Sequence, residues 1–365
     1  MAGDNAEDVI VKVLLISHYP PPAGGIASWT KRLLSIGLPN GWNVAHINLN
    51  TINGRDPFKN PKRNFKDEYV RTKNIWKKEI QFLKEDKEIS VVHTCIPCTP
   101  FGILRETVTG CIAKLYKKRF ILHCRCTVPN VVNSFYKVML FKILAHFCDG
   151  IMVLNQKSVD FCKKYTSSYV ELIPNFVMED ELTFAGNDKI STCVKNVVYV
   201  GGVTPEKGCD TILETAKKLP DMTFHLVGIV SKEIADMERT PNVIFYGNCE
   251  KDKVKEIIPN GDVFLFLSRY WGEGFSNALV EGMAAGLPCI VTDWAANADM
   301  IEDKGGKVIP KQNVDALVEA LVEMSENVDF RKKASVWNVE KVKKTYVADV
   351  VLKQYTEFYE KILRA

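Results

Sequence analysis

The sequence has no hydrophobic run long enough to cross a membrane, because no apolar stretch in its 365 residues approaches the roughly 20 that a bilayer requires. Its start, MAGDNAEDVI, lacks the basic and apolar regions of a signal peptide. A hydrophobic fraction of 46% and a charged fraction of 25% exclude disordered and collagen-like classes. These absences predict a cytoplasmic protein built from two ordinary globular domains.

The cysteines lack the spacing of a disulfide framework. There are eleven, an odd number, spread irregularly over a chain that is large enough to fold without cross-links. Reduced thiols that pack as small apolar side chains are the expected state. The alternative is a zinc site in which Cys95 and Cys98, spaced C-x2-C, combine with Cys124 and Cys126.

Several signatures of known chemistry are also missing. The sequence has no D-x-D, no zinc-protease helix motif, no G-x-x-x-x-G-K-[ST] loop and no G-x-S-x-G elbow. It has no aromatic-plus-glycine RNA motif, zinc finger or basic heptad region. We therefore expect no metal and no cofactor, and nucleic acid is not an expected partner.

The net charge of +4 hides an uneven distribution. Residues 1–170 hold 25 Lys and Arg against 13 Asp and Glu, whereas residues 171–365 hold 23 against 31. The basic half indicates an anionic partner, such as an acidic membrane or a phosphorylated acceptor. Two stretches of that half, RTKNIWKKEIQFLK and SFYKVMLFKILAHF, mix lysines with large apolar residues, as helices at a membrane interface do. Core helices with lysine rims give the same pattern.

Short β-branched runs alternate with helical patterns along both halves. Strands are predicted at 9–17, 42–49, 90–94, 119–124, 150–154, 170–173, 196–200, 223–227, 243–246, 263–267 and 288–291. Helices are predicted at 26–36, 73–84, 102–116, 134–147, 210–218, 232–239, 251–257 and 277–285, with one ending at 165 and two closing helices from 314 and about 341. The alternation indicates parallel sheets flanked by helices, built twice.

The strongest functional signal is GDVFLFLSRYWGEGFSNALVEGMAAGLPCIVTD, residues 261–293. An apolar strand ends in a loop that holds Glu273, and the helix that follows Ser276 carries Glu281. Doubly wound folds bind ligands beyond the carboxyl ends of their strands. The first-turn amides of a helix bind phosphate or hydroxyl groups, and a carboxylate accepts both hydroxyls of a vicinal diol. Two merely solvated or lysine-paired glutamates are the alternative.

A family resemblance decides between these interpretations. EGFSNALVE has the E-x7-E pattern of the family 4 retaining glycosyltransferases, and GMAAGLPCIVTD continues it. IPNF resembles the IPNG segment of that family, VYVGGVTPEKGCDTILETAKKL its phosphate-binding unit, and VKVLLISHYPPPAGGIASWTKRLL its opening strand and glycine loop. The resemblance extends over nearly the whole chain. It implies the α/β GT-B fold, two Rossmann-like doubly wound parallel-sheet domains that face a deep cleft.

The resemblance also implies domain boundaries and donor-binding residues. An acceptor domain is expected over 1–180, a donor domain over 190–345, and a closing helix over 346–365 that packs back on the first domain. Glu281 would hold the ribose, Glu273 would contact the transferred hexose, and Lys207 would neutralise the departing diphosphate. Helix-start amides would orient the sugar and diphosphate, at Gly274, Phe275, Ser276 and Asn277. An exposed loop lysine is the alternative for Lys207.

One donor-domain position departs from the pattern. Many family members have arginine directly after the first glycine of the phosphate-binding loop, where this chain has Gly202 after Gly201. The diphosphate would then lack one cation. Either Arg269, the nearest candidate, supplies that charge, or Lys207 acts with backbone amides alone.

The first domain offers two further candidate groups. Gly24 and Gly25 resemble the loop that approaches the donor, since glycine permits a positive φ and a close backbone approach. A plain turn after the proline run 20–22 is the alternative. The family often has a histidine facing the sugar where RFILHCRCTVPN places either His123 or Arg125. His123 could instead be a core histidine, and Arg125 could stabilise phosphate but not act as a base.

The function implied is a metal-independent retaining glycosyltransferase. It would move a hexose from a nucleotide diphosphate sugar, a UDP-sugar, to a lipid-linked, lipopolysaccharide or capsule glycan at the inner face of the cytoplasmic membrane. No cofactor beyond the donor substrate is expected. The alternatives are a soluble-acceptor glycan synthase or a nucleotide-sugar epimerase of the same fold, and a non-catalytic nucleotide-sugar sensor.

Overall fold

The computed structural model describes residues 11–21, 24–50, 65–184 and 190–365. Its contacts divide the chain into two units. The first runs to Ile173 and takes in Leu352–Ala365, and the second is Pro174–Val351. The predicted strand residues Val9 and Ile10, the last proline of the 20–22 run, and residues 185–189 lie outside the described part.

The first unit is built on one parallel sheet. Its strands are β1 (Lys12–Ser17), β2 (Asn43–Asn48), β3 (Ile89–Ile96), β4 (Arg119–Cys124), β5 (Gly150–Val153) and β6 (Tyr169–Leu172). Its helices are α1 (Gly25–Ile36), α2 (Phe65–Glu85), α3 (Pro100–Leu115), α4 (Val128–Val131), α5 (Phe135–Phe147) and α6 (Gln156–Tyr165). The strand order is β2-β1-β3-β4-β5-β6. The central strands β1, β3 and β4 are almost wholly buried, because helices cover both faces of such sheets.

The second unit repeats this plan. Its strands are β7 (Asn196–Val200), β8 (Thr223–Val227), β9 (Val243–Gly247), β10 (Val263–Phe266), β11 (Cys289–Thr292) and β12 (Gly306–Ile309), in the order β12-β11-β10-β7-β8-β9. Its helices are α7 (Cys209–Lys218), α8 (Lys232–Ala235), α9 (Lys251–Ile257), α10 (Asn277–Ala284), α11 (Asn297–Ile301), α12 (Val314–Glu326) and α13 (Val328–Thr345). The closing helix α14 (Ala348–Arg364) begins in the second unit and continues into the first.

The predicted fold class is confirmed, with two parallel six-stranded sheets flanked by helices. Three details of the prediction are wrong. The helix predicted to reach residue 239 ends at Ala235, the strand β12 and the short helices α4 and α11 were not predicted, and three closing helices replace two. The missed helix α13 buries Arg331, Ser335 and Asn338. A buried face with so many polar residues does not give the apolar periodicity on which helix prediction depends.

The two stretches considered for membrane contact differ in the structure. The stretch RTKNIWKKEIQFLK lies in α2, where Ile75 and Leu83 belong to the apolar core of the first unit. The α5 stretch instead leaves Phe135 83% exposed and Ile143 49% exposed. Among the described residues, no helix combines the length and apolarity that a membrane crossing needs.

The buried carboxyl group of Glu79, on α2, generates a testable pH dependence. Burial, and then the charge of Glu106, raises the pKa of Glu79 from 4.5 to about 9. Between these two values the unfolded chain releases a proton that the folded protein keeps, so the free energy of unfolding falls as pH rises.

We expect Glu79→Gln to stabilise the protein by about 1–3 kcal/mol near pH 8 and to change little near pH 4. Urea unfolding of both proteins across this range measures the difference. The control is Glu85→Gln, at an exposed position on the same helix. It should leave the free energy of unfolding unchanged across this pH range. Parallel stability curves for the wild type and Glu79→Gln would contradict the burial argument.

Candidate functional site

The segment with the strongest sequence signal forms a strand, a turn and a helix. Strand β10 is fully buried, and the chain then turns through Glu273 and Gly274 into α10. Ser276 is the N-cap residue of α10, where its hydroxyl accepts a 3.1 Å hydrogen bond from the Leu279 amide. The turn therefore lies at the carboxyl end of a parallel strand and at the positive end of a helix dipole.

Lys207 and Glu273 are brought together at this turn, although 66 residues separate them. The Lys207 ammonium forms an ion pair with the Glu273 carboxylate, which also accepts a 3.1 Å hydrogen bond from the Ser268 hydroxyl. The ammonium lies 5.0 Å from the Tyr270 ring centroid. Both charged side chains are partly exposed, so each remains accessible to a ligand.

Two features fix the loop that carries Lys207. Gly208 has φ +82°, and a Cβ atom there would approach the Leu267 carbonyl oxygen to 2.4 Å, so the loop needs glycine to lie against the end of β10. Arg269 forms a bidentate ion pair with Asp210, at 3.0 and 2.7 Å, and its amide donates to the Glu206 carbonyl. Arg269 therefore holds the loop in place rather than standing as a spare cation for the diphosphate.

The position of the missing arginine has room for a side chain. The nearest atom to a Cβ built on Gly202 is the Thr204 Cγ2, at 3.8 Å. The Gly202 carbonyl accepts a 2.8 Å hydrogen bond from the buried Tyr199 hydroxyl. Glycine is thus not required by space at this position. Lys207 reaches the α10 turn through its ion pair with Glu273.

Glu281 lines a cavity of about 220 Å³ in the second unit. Its other lining residues come from the segment after the first unit, from the end of β7 and from α9, and they include Leu182, Thr183, Val200 and Val254. The lining also includes Glu181, Lys251 and Lys255, and Glu181 forms an ion pair with Lys251. A cavity with apolar walls and a few polar groups suits a flat ring that carries hydroxyl groups. A larger cavity of about 620 Å³ lies in the first unit, near the amino ends of β4, β5 and β6, and none of the predicted site residues lines it.

Two further residues of the predicted helix start make specific contacts. The Asn277 side-chain oxygen lies 3.4 Å from the Asn175 amide nitrogen, which brings the IPNF segment to the start of α10. Phe275 is buried and packs edge-on against Tyr346, with ring centroids 5.3 Å apart. The Phe275 side chain therefore anchors the turn, which leaves its backbone as the group available to a ligand. Asn175 is a contact that sequence reasoning missed.

Gly24 and Gly25, the candidate glycines of the first unit, have ordinary backbone angles. Gly24 is the N-cap of α1 with φ 174°, an extended angle that any residue adopts, and Gly25 begins the helix. Neither residue uses the positive φ that glycine permits. Open space is present, because no atom lies within 4 Å of a Cβ built on either residue.

His123 and Arg125 stand at the end of β4, and both are buried. The Arg125 guanidinium lies 3.1 Å from His123 Nε2 and stacks 4.5 Å from the Trp29 ring centroid. His123 Nδ1 lies 3.3 Å from Nε2 of His93 on β3. Burial, followed by the charges of Arg125 and His93, lowers the pKa of His123 well below 6.5. His123 is therefore neutral, with both ring nitrogens engaged, as a core histidine is.

The cysteines group differently from the zinc site that was considered. All eleven are free thiols. The thiol of Cys98 contacts those of Cys124 and Cys126, and Cys162 of α6 contacts Cys124, whereas Cys95 faces His93. Among the described residues, only His93, Cys95 and His123 have the mutual spacing of metal ligands. The four cysteines that sequence spacing suggested are therefore not assembled.

Comparisons with known proteins agree on one class. The family model described as "Glycosyl transferases group 1" matches residues 194–327. An uncharacterized glycosyltransferase of Methanocaldococcus jannaschii is 20% identical over 317 residues, which is 79% of each chain. An Escherichia coli UDP-Gal:alpha-D-GlcNAc-diphosphoundecaprenol alpha-1,3-galactosyltransferase is 26% identical over 64% of this chain and 60% of its own length.

Solved structures share the fold. The Anabaena protein HepE, crystallised in complex with UDP, superposes with a TM-score of 0.70 at 12% identity, over 96% of this chain and all of the other. Identity this low establishes the architecture alone. The matched architecture is the two-domain GT-B arrangement of Rossmann-like units that the resemblance implied.

Proposed function

We propose that this chain, which belongs to the group 1 glycosyltransferases of family 4 and GT-B fold, transfers a hexose from a UDP-sugar to a lipid-linked or lipopolysaccharide or capsule glycan, with retention of configuration and without a metal ion. One observation carries the proposal. In the second unit, Lys207 and Glu273 meet at the amino end of α10, and Glu281 of the same helix lines a cavity.

The charges at the turn suit a nucleoside diphosphate. The diphosphate would occupy the amino end of α10, where helix amides and the Lys207 ammonium stabilise negative charge. The ribose hydroxyls would donate to Glu281, and the base would enter the 220 Å³ cavity. Donor binding would draw Lys207 away from Glu273, which frees that carboxylate to accept hydroxyl groups of the hexose.

The reaction follows from these positions. The bond between the anomeric carbon and the diphosphate oxygen breaks, and the acceptor oxygen forms the new bond on the same face of the sugar. The acceptor proton passes to the departing diphosphate, so no protein base is required. Lys207 and the helix dipole stabilise the charge that develops on the diphosphate. The neutral, fully engaged His123 supports this choice, because it cannot serve as the base.

Arg125 is the better candidate of the two residues at the end of β4. Its guanidinium is permanently charged and retains donor groups beyond the one directed at His123. We propose that Arg125 contacts a bound sugar or phosphate and that His123 supports the Arg125 guanidinium. The identity of the donor as a UDP-sugar rests on HepE, which binds UDP, and on the galactosyltransferase of Escherichia coli.

The donor site is tested by transfer of radiolabelled sugar from a panel of UDP-sugars. We expect Glu281→Ala to weaken UDP binding about 10- to 100-fold, because it loses charge-assisted hydrogen bonds to the ribose. Glu273→Ala should lower turnover roughly 100-fold with a smaller effect on binding. Calorimetry with UDP and initial rates separate the two effects.

Glu319→Ala, which changes an exposed glutamate on α12, is the matched control and should behave as the wild type. Unchanged kinetics in both site variants would contradict the site. UDP binding without hydrolysis or transfer, across all donors and acceptors, would indicate a sensor. Interconversion of the free nucleotide sugars would indicate an epimerase.

Metal independence is a separate prediction. Since Lys207 and the α10 amides supply the positive charge, we expect excess EDTA to leave the transfer rate within about twofold of the untreated enzyme. The same assay with added Mg²⁺ or Mn²⁺ should show no large activation. A rate that collapses with EDTA and returns with one cation would contradict this part of the proposal.

Membrane contact is proposed for α5 and the neighbouring α3. The exposed side of α5 carries Phe135, Tyr136, Met139 and Ile143, and that of α3 carries Phe101, Leu104, Val108 and Leu115. Lys137 and Lys142 flank the apolar residues of α5. An apolar strip edged with lysine suits the interface of an anionic bilayer.

We expect the protein to float with vesicles that contain phosphatidylglycerol, at low salt. The double substitution Met139→Ser with Ile143→Ser should lower the partition coefficient about tenfold or more, because two large side chains no longer leave water. Val322→Ser, at an exposed valine of α12, should leave flotation unchanged. Wild-type protein that stays wholly at the bottom of the gradient would refute the contact.

A further inference from the structure

A chain of buried polar side chains joins α14 to Arg125. The Tyr359 hydroxyl oxygen lies 2.6 Å from Nδ1 of His93, and Nε2 of His93 lies 3.3 Å from Nδ1 of His123. Nε2 of His123 in turn lies 3.1 Å from the Arg125 guanidinium. Tyr359, His93 and His123 are all at or below 1% exposure. This set of four residues is the polar array.

The arginine fixes the direction of every hydrogen bond in the polar array. A guanidinium only donates, so Nε2 of His123 must be an acceptor and its proton must be on Nδ1. That Nδ1–H donates to Nε2 of His93, which places the proton of His93 on its own Nδ1. The His93 Nδ1–H then donates to the Tyr359 oxygen. Both histidines are neutral and have the same tautomer.

The same logic argues against a metal ion at His93, Cys95 and His123, despite their ligand spacing. A metal ion would bind the lone pair of His123 Nδ1. The ring proton would then move to Nε2, where it would face an N–H donor of Arg125. Burial also raises the pKa of the Cys95 thiol to about 12, so a thiolate ligand is disfavoured there. Arg125 adds a positive charge beside the cluster.

We propose that His93 and Tyr359 are positioning residues, which hold the Arg125 guanidinium in place through His123. Trp29 supports the same guanidinium from its face, at 4.5 Å. The proposal rests on the function proposed above, in which Arg125 contacts a bound sugar or phosphate. It adds that α14 sets the orientation of the Arg125 guanidinium through a series of hydrogen bonds whose directions are fixed.

The groups around the polar array keep the directions of its hydrogen bonds constant near neutral pH. The titratable or charged groups that face its two histidines are Arg125, Cys95, Tyr355 and Tyr359. Burial and the charge of Arg125 lower the pKa of His93 to about 3, and burial raises the pKa of Tyr355 to about 12. None of these groups changes charge near neutral pH.

Two substitutions of similar size at His93 separate positioning from packing. Glutamine has an oxygen to accept from His123 and an NH₂ group to donate to Tyr359, whereas leucine has neither. We expect His93→Leu to lower kcat/KM at least tenfold and His93→Gln to recover most of it. A structural role alone predicts the reverse order, since leucine suits a buried site better than an amide.

Tyr359→Phe, which removes only the terminal acceptor, should also lower kcat/KM severalfold. Thr356→Val removes another buried hydroxyl of α14, one that donates to the Lys353 carbonyl, and should leave kcat/KM unchanged. Equal kcat/KM for His93→Leu and His93→Gln, with both proteins folded, would overturn the positioning role.

The tautomers are measured without any activity assay. In two-bond ¹H–¹⁵N spectra of the labelled protein, His93 and His123 should both carry the proton on Nδ1 and should not titrate from about pH 5 to 9. Comparison with His93→Gln assigns the two rings among the six histidines. A proton on His123 Nε2, a titrating ring, or bound zinc in native mass spectra would overturn the proposal. If the tautomers are as expected but the protein transfers no sugar, the result would instead count against the proposed function.

Discussion

The ion pair between Lys207 and Glu273 is the contact on which the proposed donor site depends. It joins the loop after β7 to the turn before α10, two segments far apart in sequence. The Lys207 loop reaches this position because Gly208 lies against the carbonyl of Leu267, and because Arg269 holds Asp210 with two hydrogen bonds. A cation and an anion are thereby kept at the positive end of a helix, where the diphosphate of the proposed donor would replace Glu273 as the partner of Lys207.

The packing beneath this turn explains why it keeps its shape. Gly282 of α10 lies against Phe264 of β10 so closely that a Cβ atom would approach the ring to 2.4 Å. Helix α13 supports the other end of α10, where the amide of Asn338 donates to the carbonyls of Leu287 and Gly305. The buried side chain of Asn338 thus adds hydrogen bonds to two buried backbone carbonyls, of which that of Gly305 also accepts from the Cys289 amide. The result is a rigid frame below the turn and partly exposed charges above it.

Sequence reasoning succeeded where the hydrophobic pattern is regular and where turn or capping residues mark the ends of the elements. The apolar runs of β4, β7 and β8 gave exact strand bounds, and the E-x7-E spacing led to the turn and helix that carry Glu273 and Glu281. It failed at α13, whose buried Asn338 and Arg331 interrupt the apolar pattern, and at β12, where Gly306 and Lys307 leave no apolar run. The pairing of Arg269 with Asp210 and the contact of His93 with Tyr359 could not be predicted, because they join residues 59 and 266 positions apart. Of the polar array, the sequence pointed to His123 and Arg125 but not to His93, which lies within the apolar run VVHTC.

The claim that an activated sugar binds at the amino end of α10 is tested most directly by a crystal structure with UDP. The account predicts ribose hydroxyls within hydrogen-bond distance of the Glu281 carboxylate, the diphosphate against Lys207 and the first amides of α10, and Lys207 separated from Glu273. UDP bound elsewhere on the chain, or bound with the Lys207–Glu273 ion pair intact and Glu281 apart from the ribose, would contradict it.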